Sequence, residues 1–270
     1  MSPISQAFDR AQQEGRMAFM PFVTAGDPDL KTTAAVLTAL SRAGVDLIEL
    51  GFPYSDPIAD GPVIQASYTR ALERGITVEG IFQAMESLKN SGLPPVLAMV
   101  SYAIIFRYGP EHFVQRAAAV GFRGLIVPDL PADEATDVHN LAAAAGMDLV
   151  QLIAPTTSAA RTQQILDASS GFVYCISVAG TTGVRNELPA ELSQQLVELR
   201  GKTQLPLAVG FGISGADQVA SLAGVADGVI VGSAVVRRIA ETNSAEAAAQ
   251  TVQAFAEEMC RAVKLVKPSH

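Results

Sequence analysis

Short apolar runs bounded by Gly, Pro and Asp recur along the chain. They are MAFMPFVTAG (17–26), VDLIELG (45–51), PVLAMVSY (95–102), FRGLIVPD (122–129), MDLVQLIAP (147–155), GFVYCISVAG (171–180), PLAVGFG (206–212) and DGVIVGS (227–233). Between them lie Ala- and Leu-rich stretches with helical spacing, such as LKTTAAVLTALSRAG and ADEATDVHNLAAAAG. Several of these close on Gly, as helix C-termini prefer. Continuous apolar strands alternating with helices predict a parallel sheet covered on both faces. Eight such units predict a (β/α)8 TIM barrel, an α/β fold, with residues 1–270 as a single domain. A doubly wound open sheet is the alternative. The opening stretch predicts a short amphipathic helix, with Ile4, Phe8 and Ala11 on one face, ahead of the first strand. Segment 232–265 has room for a short helix and then a final one. No linker, low-complexity tract, charge block or strong internal repeat interrupts the pattern.

Composition adds exclusions. Of 270 residues, 49% are hydrophobic and 17% charged, which suits a large buried core. The net charge of −8 argues against a nucleic-acid surface, since phosphate backbones need a basic stripe. An anionic small substrate is compatible with it, because backbone N–H groups can hold one phosphate in an acidic protein. Cys175 and Cys260 lie far apart with no CxxC pair, which points to a reducing compartment. No apolar run is long enough to span a bilayer. The first twenty residues lack a basic start followed by an apolar block, so a cytoplasmic protein is expected.

In a barrel, functional groups stand at the C-terminal ends of the strands. Strand one brings Phe22 and then TAGDPD, where Asp27 can cap the next helix. Strand two ends in Glu49, strand three in Tyr102, and strand four in PDLP with Asp129. Strand six brings Tyr174 and the long SVAGTTGVRNELP. Strands seven and eight lead into GFGIS and GSAVV. Each of these last two runs strand, Gly, helix, a recurrent phosphate cradle in barrels. The competing reading is that their glycines only make tight turns. GFGISG (210–215) also matches GxGxxG, but too little chain follows for a Rossmann unit, and Gly232 stands where a ribose-binding acid would be needed.

Several chemistries are excluded. None of Lys31, Lys89, Lys202, Lys264 and Lys267 falls at a strand's C-terminal end, so no Schiff-base nucleophile is offered. His112, His139 and His270 lack ligand spacing, so no metal site is predicted; His139 reads as a solvated helix residue. Cys175 sits inside a strand and reads as core. Carboxylates remain. Glu49 points into the barrel mouth if Ile48 and Leu50 pack outward. Partial desolvation there raises its pKa and suits it to acid and base work near neutral pH. A structural acid would need an arginine, and none lies at a neighbouring strand end. Asp60, on the loop that follows, is either a second acid/base or a cap for the helix starting at Pro62. Asp56 is a turn residue or a partner contact, the turn being favoured.

The stretch IELGFPYSDPIADG (48–61) resembles the signature of the tryptophan synthase α-subunit family. PFVTAGDPD (21–29), VPDLP (127–131), LIAPTT (152–157), GTTG (180–183), VGFGIS (209–214) and VGSA (231–234) agree in the same order along essentially the whole chain. The resemblance implies a barrel that cleaves indole-3-glycerol phosphate to indole and glyceraldehyde 3-phosphate, without a cofactor of its own. It also implies an α2β2 assembly whose pyridoxal-phosphate β-subunit receives the indole. By motif position, Glu49 would protonate the indole ring at C3 and Asp60 would stabilise charge at the indole nitrogen. Phe22 and Tyr174 would line the indole pocket, with Tyr102 and Phe211 also on the substrate. Gly183, Gly212, Gly232 and Ser233 would hold the phosphate. Thr182, on loop 177–190, would close over Asp60. Pro53, Asp56, Pro57, Ile104 and Asp129 would face the β-subunit. A retro-aldol cleavage needs an electron sink, and a ring-protonated indole supplies one, with two carboxylates managing the protons.

One departure stands out. The family usually carries Asn two residues after the tyrosine of the strand-three segment, and here that residue is Ile104. Altered coupling between subunits is the expectation. Rival readings are a stand-alone lyase of the same fold, a chiefly regulatory subunit, and another phosphate-binding barrel such as a sugar-phosphate epimerase.

Overall fold

The computed structural model of the protein describes residues 1–57, 60–176, 190–210 and 212–268. Eight parallel strands close into a barrel: β1 (Ala18–Thr24), β2 (Ile48–Gly51), β3 (Val96–Met99), β4 (Phe122–Ile126), β5 (Asp148–Ile153), β6 (Val173–Ile176), β7 (Leu207–Gly210) and β8 (Gly228–Val231). Each strand pairs with the next in sequence, and β8 returns to β1. The predicted closed ring is therefore present and the open sheet is not. The helices are α1 (Pro3–Gln13), α2 (Leu30–Ala43), α3 (Pro62–Glu73), α4 (Val78–Ser87), α5 (Tyr102–Tyr108), α6 (Pro110–Val120), α7 (Thr136–Ala144), α8 (Ala159–Ala168), α9 (Ala190–Arg200), α10 (Ser233–Ala240) and α11 (Ala245–Val263). A 3-10 turn covers Ala216–Leu222.

Strand alternation splits the apolar side chains into two layers. Ile48, Leu50, Val96, Leu125, Val173 and Val209 pack outward beneath the helices. Met20, Leu47, Leu97, Val150, Tyr174, Ala208 and Ile230 fill the interior. The amphipathic face of α1 plugs the N-terminal end, with Ile4, Ala7, Phe8 and Ala11 buried among the interior residues. Two strands keep glycine to admit that plug. A Cβ on Gly124 would stand 2.7 Å from Ile4 Cδ1, and one on Gly228 would stand 3.0 Å from Phe8 Cε1.

Two local expectations are corrected. The cap of α2 is Asp29, whose carboxylate accepts the Thr32 amide at 2.7 Å. Asp27 lies two residues too early and is drawn instead to Arg70 of α3, with N–O distances of 2.9 and 2.6 Å. His139 is half-buried, and its Nδ1 stands 3.1 Å from the Ala168 carbonyl at the end of α8. It joins two helices rather than lying in solvent.

Candidate active site

Period-two alternation turns Glu49 inward between outward-facing Ile48 and Leu50. In register it lies beside Phe22 of β1 and Leu97 of β3. Its side chain is wholly buried, and neither carboxylate oxygen has a hydrogen-bond partner. Burial pushes its pKa from 4.5 up to about 8, because nothing nearby offsets the lost hydration of the anion. Among the described residues Asp148, at the opposite end of the barrel, also has one unpartnered carboxylate oxygen, but only Glu49 has two.

Asp60 comes to the same place from the loop after β2. Gln65 of α3 stitches that loop down by donating to the carbonyls of Asp60, at 2.7 Å, and Pro57, at 3.2 Å. The cap alternative for Asp60 does not hold: Gly61 is the N-cap of α3, and no side chain caps it. The Asp60 carboxyl instead accepts a long hydrogen bond, 3.5 Å, from the Tyr54 hydroxyl. Burial pushes its pKa up to about 6, against the lowering effect of the Tyr54 bond. Around the two acids stand Phe22, Ile64, Tyr68 and Val236, with Tyr54, Val63 and Met99 at the edge. Tyr174 is buried in β6, and burial, aided by the nearby Glu49 and Asp60 carboxylates, raises the pKa of its hydroxyl well above the ordinary phenol value. Tyr54 and Tyr68 escaped the sequence reading. The signal for Tyr68 was its i, i+4 spacing from Ile64, which puts both on the buried face of α3.

The two Gly-rich strand ends differ. After β7, the amides of Ser214 and Gly215 donate to Gln218 Oε1 at 2.7 and 3.2 Å, so that helix start is already occupied. Gln at the third position of the turn was the legible sign. Gly212 has φ +77°, a left-handed conformation that itself demands glycine. After β8, Gly232 is the N-cap of α10 and no side chain caps that helix. Its φ of −103° does not require glycine, and an added Cβ would make only ordinary contact, 3.6 Å from Phe22 Cβ. Ser233 opens α10.

The remaining candidates spread outward. Tyr102 is half-buried on the outer layer, its ring against that of Phe106. Asp129 accepts from Ser101 Oγ at 2.6 Å and the Tyr102 amide at 2.8 Å, which fixes the start of α5. Ile104 is half-buried on α5, Pro53 is buried, Pro57 half-buried and Asp56 exposed. Thr182, Gly183 and Phe211 lie outside the described residues, as do His270 and most of loop 177–190. Cys175 is core, and burial pushes its thiol up to about 12. Among the described residues no cluster of three or more His, Cys, Asp or Glu could hold a metal, and no helix is long and apolar enough to cross a membrane.

Comparison with known proteins gives one consistent result. A family model described as "Tryptophan synthase alpha chain" matches residues 8–264. A tryptophan synthase alpha chain from Rhodopirellula baltica is 46% identical over 264 residues, covering 96% of this chain and 95% of that protein. Among solved structures, tryptophan synthase subunit alpha from Legionella pneumophila superposes with TM-score 0.88 at 32% identity, covering 98% of this chain and 100% of that one. Mycobacterium tuberculosis tryptophan synthase gives TM-score 0.89 at 33% identity, with 97% and 98% covered.

Proposed function

The chain belongs to the tryptophan synthase alpha chain family, and we propose that Glu49 and Asp60 divide the family's lyase reaction between them. That reaction splits indole-3-glycerol phosphate into indole and glyceraldehyde 3-phosphate, and a β-subunit takes up the indole. The observation that carries the assignment is a wholly buried glutamate with both oxygens unpartnered at a strand end. A pKa near 8 leaves Glu49 protonated at neutral pH, so it can deliver a proton to indole C3. The protonated ring then draws in the electrons of the breaking C–C bond. Glu49, now the base, takes the proton of the adjacent hydroxyl as that carbon becomes the aldehyde. Asp60, with a pKa near 6, is mostly ionised at pH 7 and accepts the indole N–H while positive charge develops on that nitrogen.

Phe22 and Tyr174 flank the ring in this reading. The uncapped start of α10, with Gly232 and Ser233, takes the phosphate. That is supported by a glycine whose backbone and packing do not demand it. Gly212, Gly183, Thr182, Phe211 and Tyr102 keep the substrate roles that the family resemblance implies. Pro53, Asp56, Pro57, Ile104 and Asp129 are assigned to the β-subunit face, and the enzyme to the cytoplasm. Replacing Ile104 by Asn is expected to change activation by the β-subunit, and unchanged activation would remove Ile104 from that face.

The test is indole release from indole-3-glycerol phosphate, with and without β-subunit, for wild type, Glu49→Gln and Asp60→Asn. Each variant should lose about 100-fold or more in kcat. The kcat/KM profile of wild type should be bell-shaped, falling below about pH 6 as Asp60 protonates and above about pH 8 as Glu49 ionises. A variant retaining wild-type kcat would remove its residue from the mechanism.

A further inference from the structure

We infer that Tyr54 and Tyr68 form a two-phenol clamp that positions the Asp60 carboxylate for the reaction. This rests on the reading of Asp60 as the group that meets the indole nitrogen. Tyr54 lies six residues before Asp60 on the same loop, and its hydroxyl already donates to Oδ2 at 3.5 Å. Its ring leans on that of Tyr68, with centroids 5.4 Å apart and planes at 52°. Tyr68 comes from a different element, α3, and is 1% exposed, packed among Phe22, Ile64 and Val236.

The position of the Tyr68 hydroxyl is the second observation. Tyr68 is buried, and a buried phenol O–H ordinarily takes an acceptor. It reaches the end of β2, where a Cβ on Gly51 would stand 2.8 Å from it. Asp60 is the charge that acts on it most strongly, ahead of Glu49. The hydroxyl therefore sits at the end of β2 within the field of both acids. A carboxylate held by Tyr54 on one oxygen can take Tyr68 as its second donor, and two donors from two elements fix its direction.

Phenol donors favour the ionised carboxylate. The Tyr54 bond already lowers the Asp60 pKa, opposing burial. The other titratable groups around Asp60 and its phenols are Glu49 on β2, Tyr68 on α3 and Tyr174 on β6, with Asp129 and Asp56 also acting on Tyr54; no lysine or arginine among the described residues acts on Asp60. Removing a donor must raise the pKa of Asp60. Ionised Asp60 is then lost at a higher pH, and the acidic limb of activity moves upward.

The experiment measures kcat and KM against pH for the α–β complex with wild-type, Tyr54→Phe, Tyr68→Phe, doubly substituted and Asp60→Asn chains. Phenylalanine keeps both rings, and thermal melts check that each variant folds. Loss of one hydrogen bond to a charged group should lower kcat about 10-fold, leave KM within about twofold, and move the acidic limb up by about one pH unit. The double variant should fall short of the product of the singles, because both act on one carboxylate. Folded Phe variants with wild-type kcat and limb, beside an inactive Asp60→Asn, would overturn the clamp and leave the role of Asp60 standing. An active Asp60→Asn would overturn the underlying reading itself.

Discussion

At the N-terminal end of the barrel, just before β2, Asp46 is buried with both oxygens held. Arg16 donates to them at 2.7 and 2.9 Å, and the Phe19 amide adds a third bond at 2.9 Å. Just before β8, Asp227 is likewise bound by Arg200 and by the Leu207 amide. At the C-terminal end Glu49 is buried more completely and has no partner, and Asp60 has one long bond. A buried charge is costly unless paired. Asp46 and Asp227 satisfy that rule. Glu49 and Asp60 break it, and the physical result is a pair of acids whose pKa values straddle neutrality. Asp46 and Asp227 have arginines; Glu49 and Asp60, the two acids proposed to react, have none among the described residues.

The sharpest way to test the contrast is Glu49→Gln, which should separate activity from stability. Activity should fall about 100- to 10,000-fold. Stability should rise, and the sign follows from the raised pKa. Below pH 4.5 Glu49 is neutral in both folded and unfolded chains, so glutamine gains nothing there. Between 4.5 and about 8 the unfolded chain ionises this group while the folded chain holds it protonated, which progressively favours unfolding. At pH 7 the variant should therefore gain up to about 3 kcal/mol. Denaturant titrations at pH 4 and pH 7 would read this, and equal wild-type-to-variant differences at both would contradict it.

The mirror experiment is at the other end. Arg16→Ala leaves Asp46 buried without its cation and should cost about 3 kcal/mol. The kcat of the folded fraction should stay within about twofold, since the change lies across the barrel from the acids. A drop in kcat comparable to that of Glu49→Gln would mean that the two ends are not independent.

Sequence carried the barrel because both faces of every strand are covered, so each strand reads as an unbroken apolar run. Glu49 was legible for the same reason: an acid inside such a run has no structural excuse unless a cation meets it. What stayed hidden depends on contacts between elements. Asp27 and Asp29 both fit the rule for a helix cap, and only the arrival of Arg70 from α3 decides between them. The Tyr54–Tyr68 pair joins a loop to a helix face, and no spacing rule links them. The two Gly-rich strand ends looked alike in sequence. Gln218 closes one of them with its own side chain, and nothing comparable caps the other.

A smaller effect sharpens the comparison, because one substitution can be made at both ends. Gly124→Ala would place a methyl 2.7 Å from Ile4 Cδ1, the far end of a flexible side chain on α1. Ile4 is wholly buried and the Asp148 carbonyl stands 3.2 Å from the same methyl, so the plug must shift, at a cost of about 2 kcal/mol of stability with kcat unchanged. Gly51→Ala would place the same methyl against the edge of the Phe22 ring and 2.8 Å from the Tyr68 hydroxyl. Both groups are buried and have little room to turn, so they must move together. They also line the acid pair, so the displacement should appear as a loss of about 10-fold or more in kcat/KM. Melting curves and steady-state rates on both variants give the answer. The comparison holds if the N-terminal methyl registers in the melt and the C-terminal methyl registers in the rate. Equal rate losses from both would show that the plug and the acids form one mechanical unit.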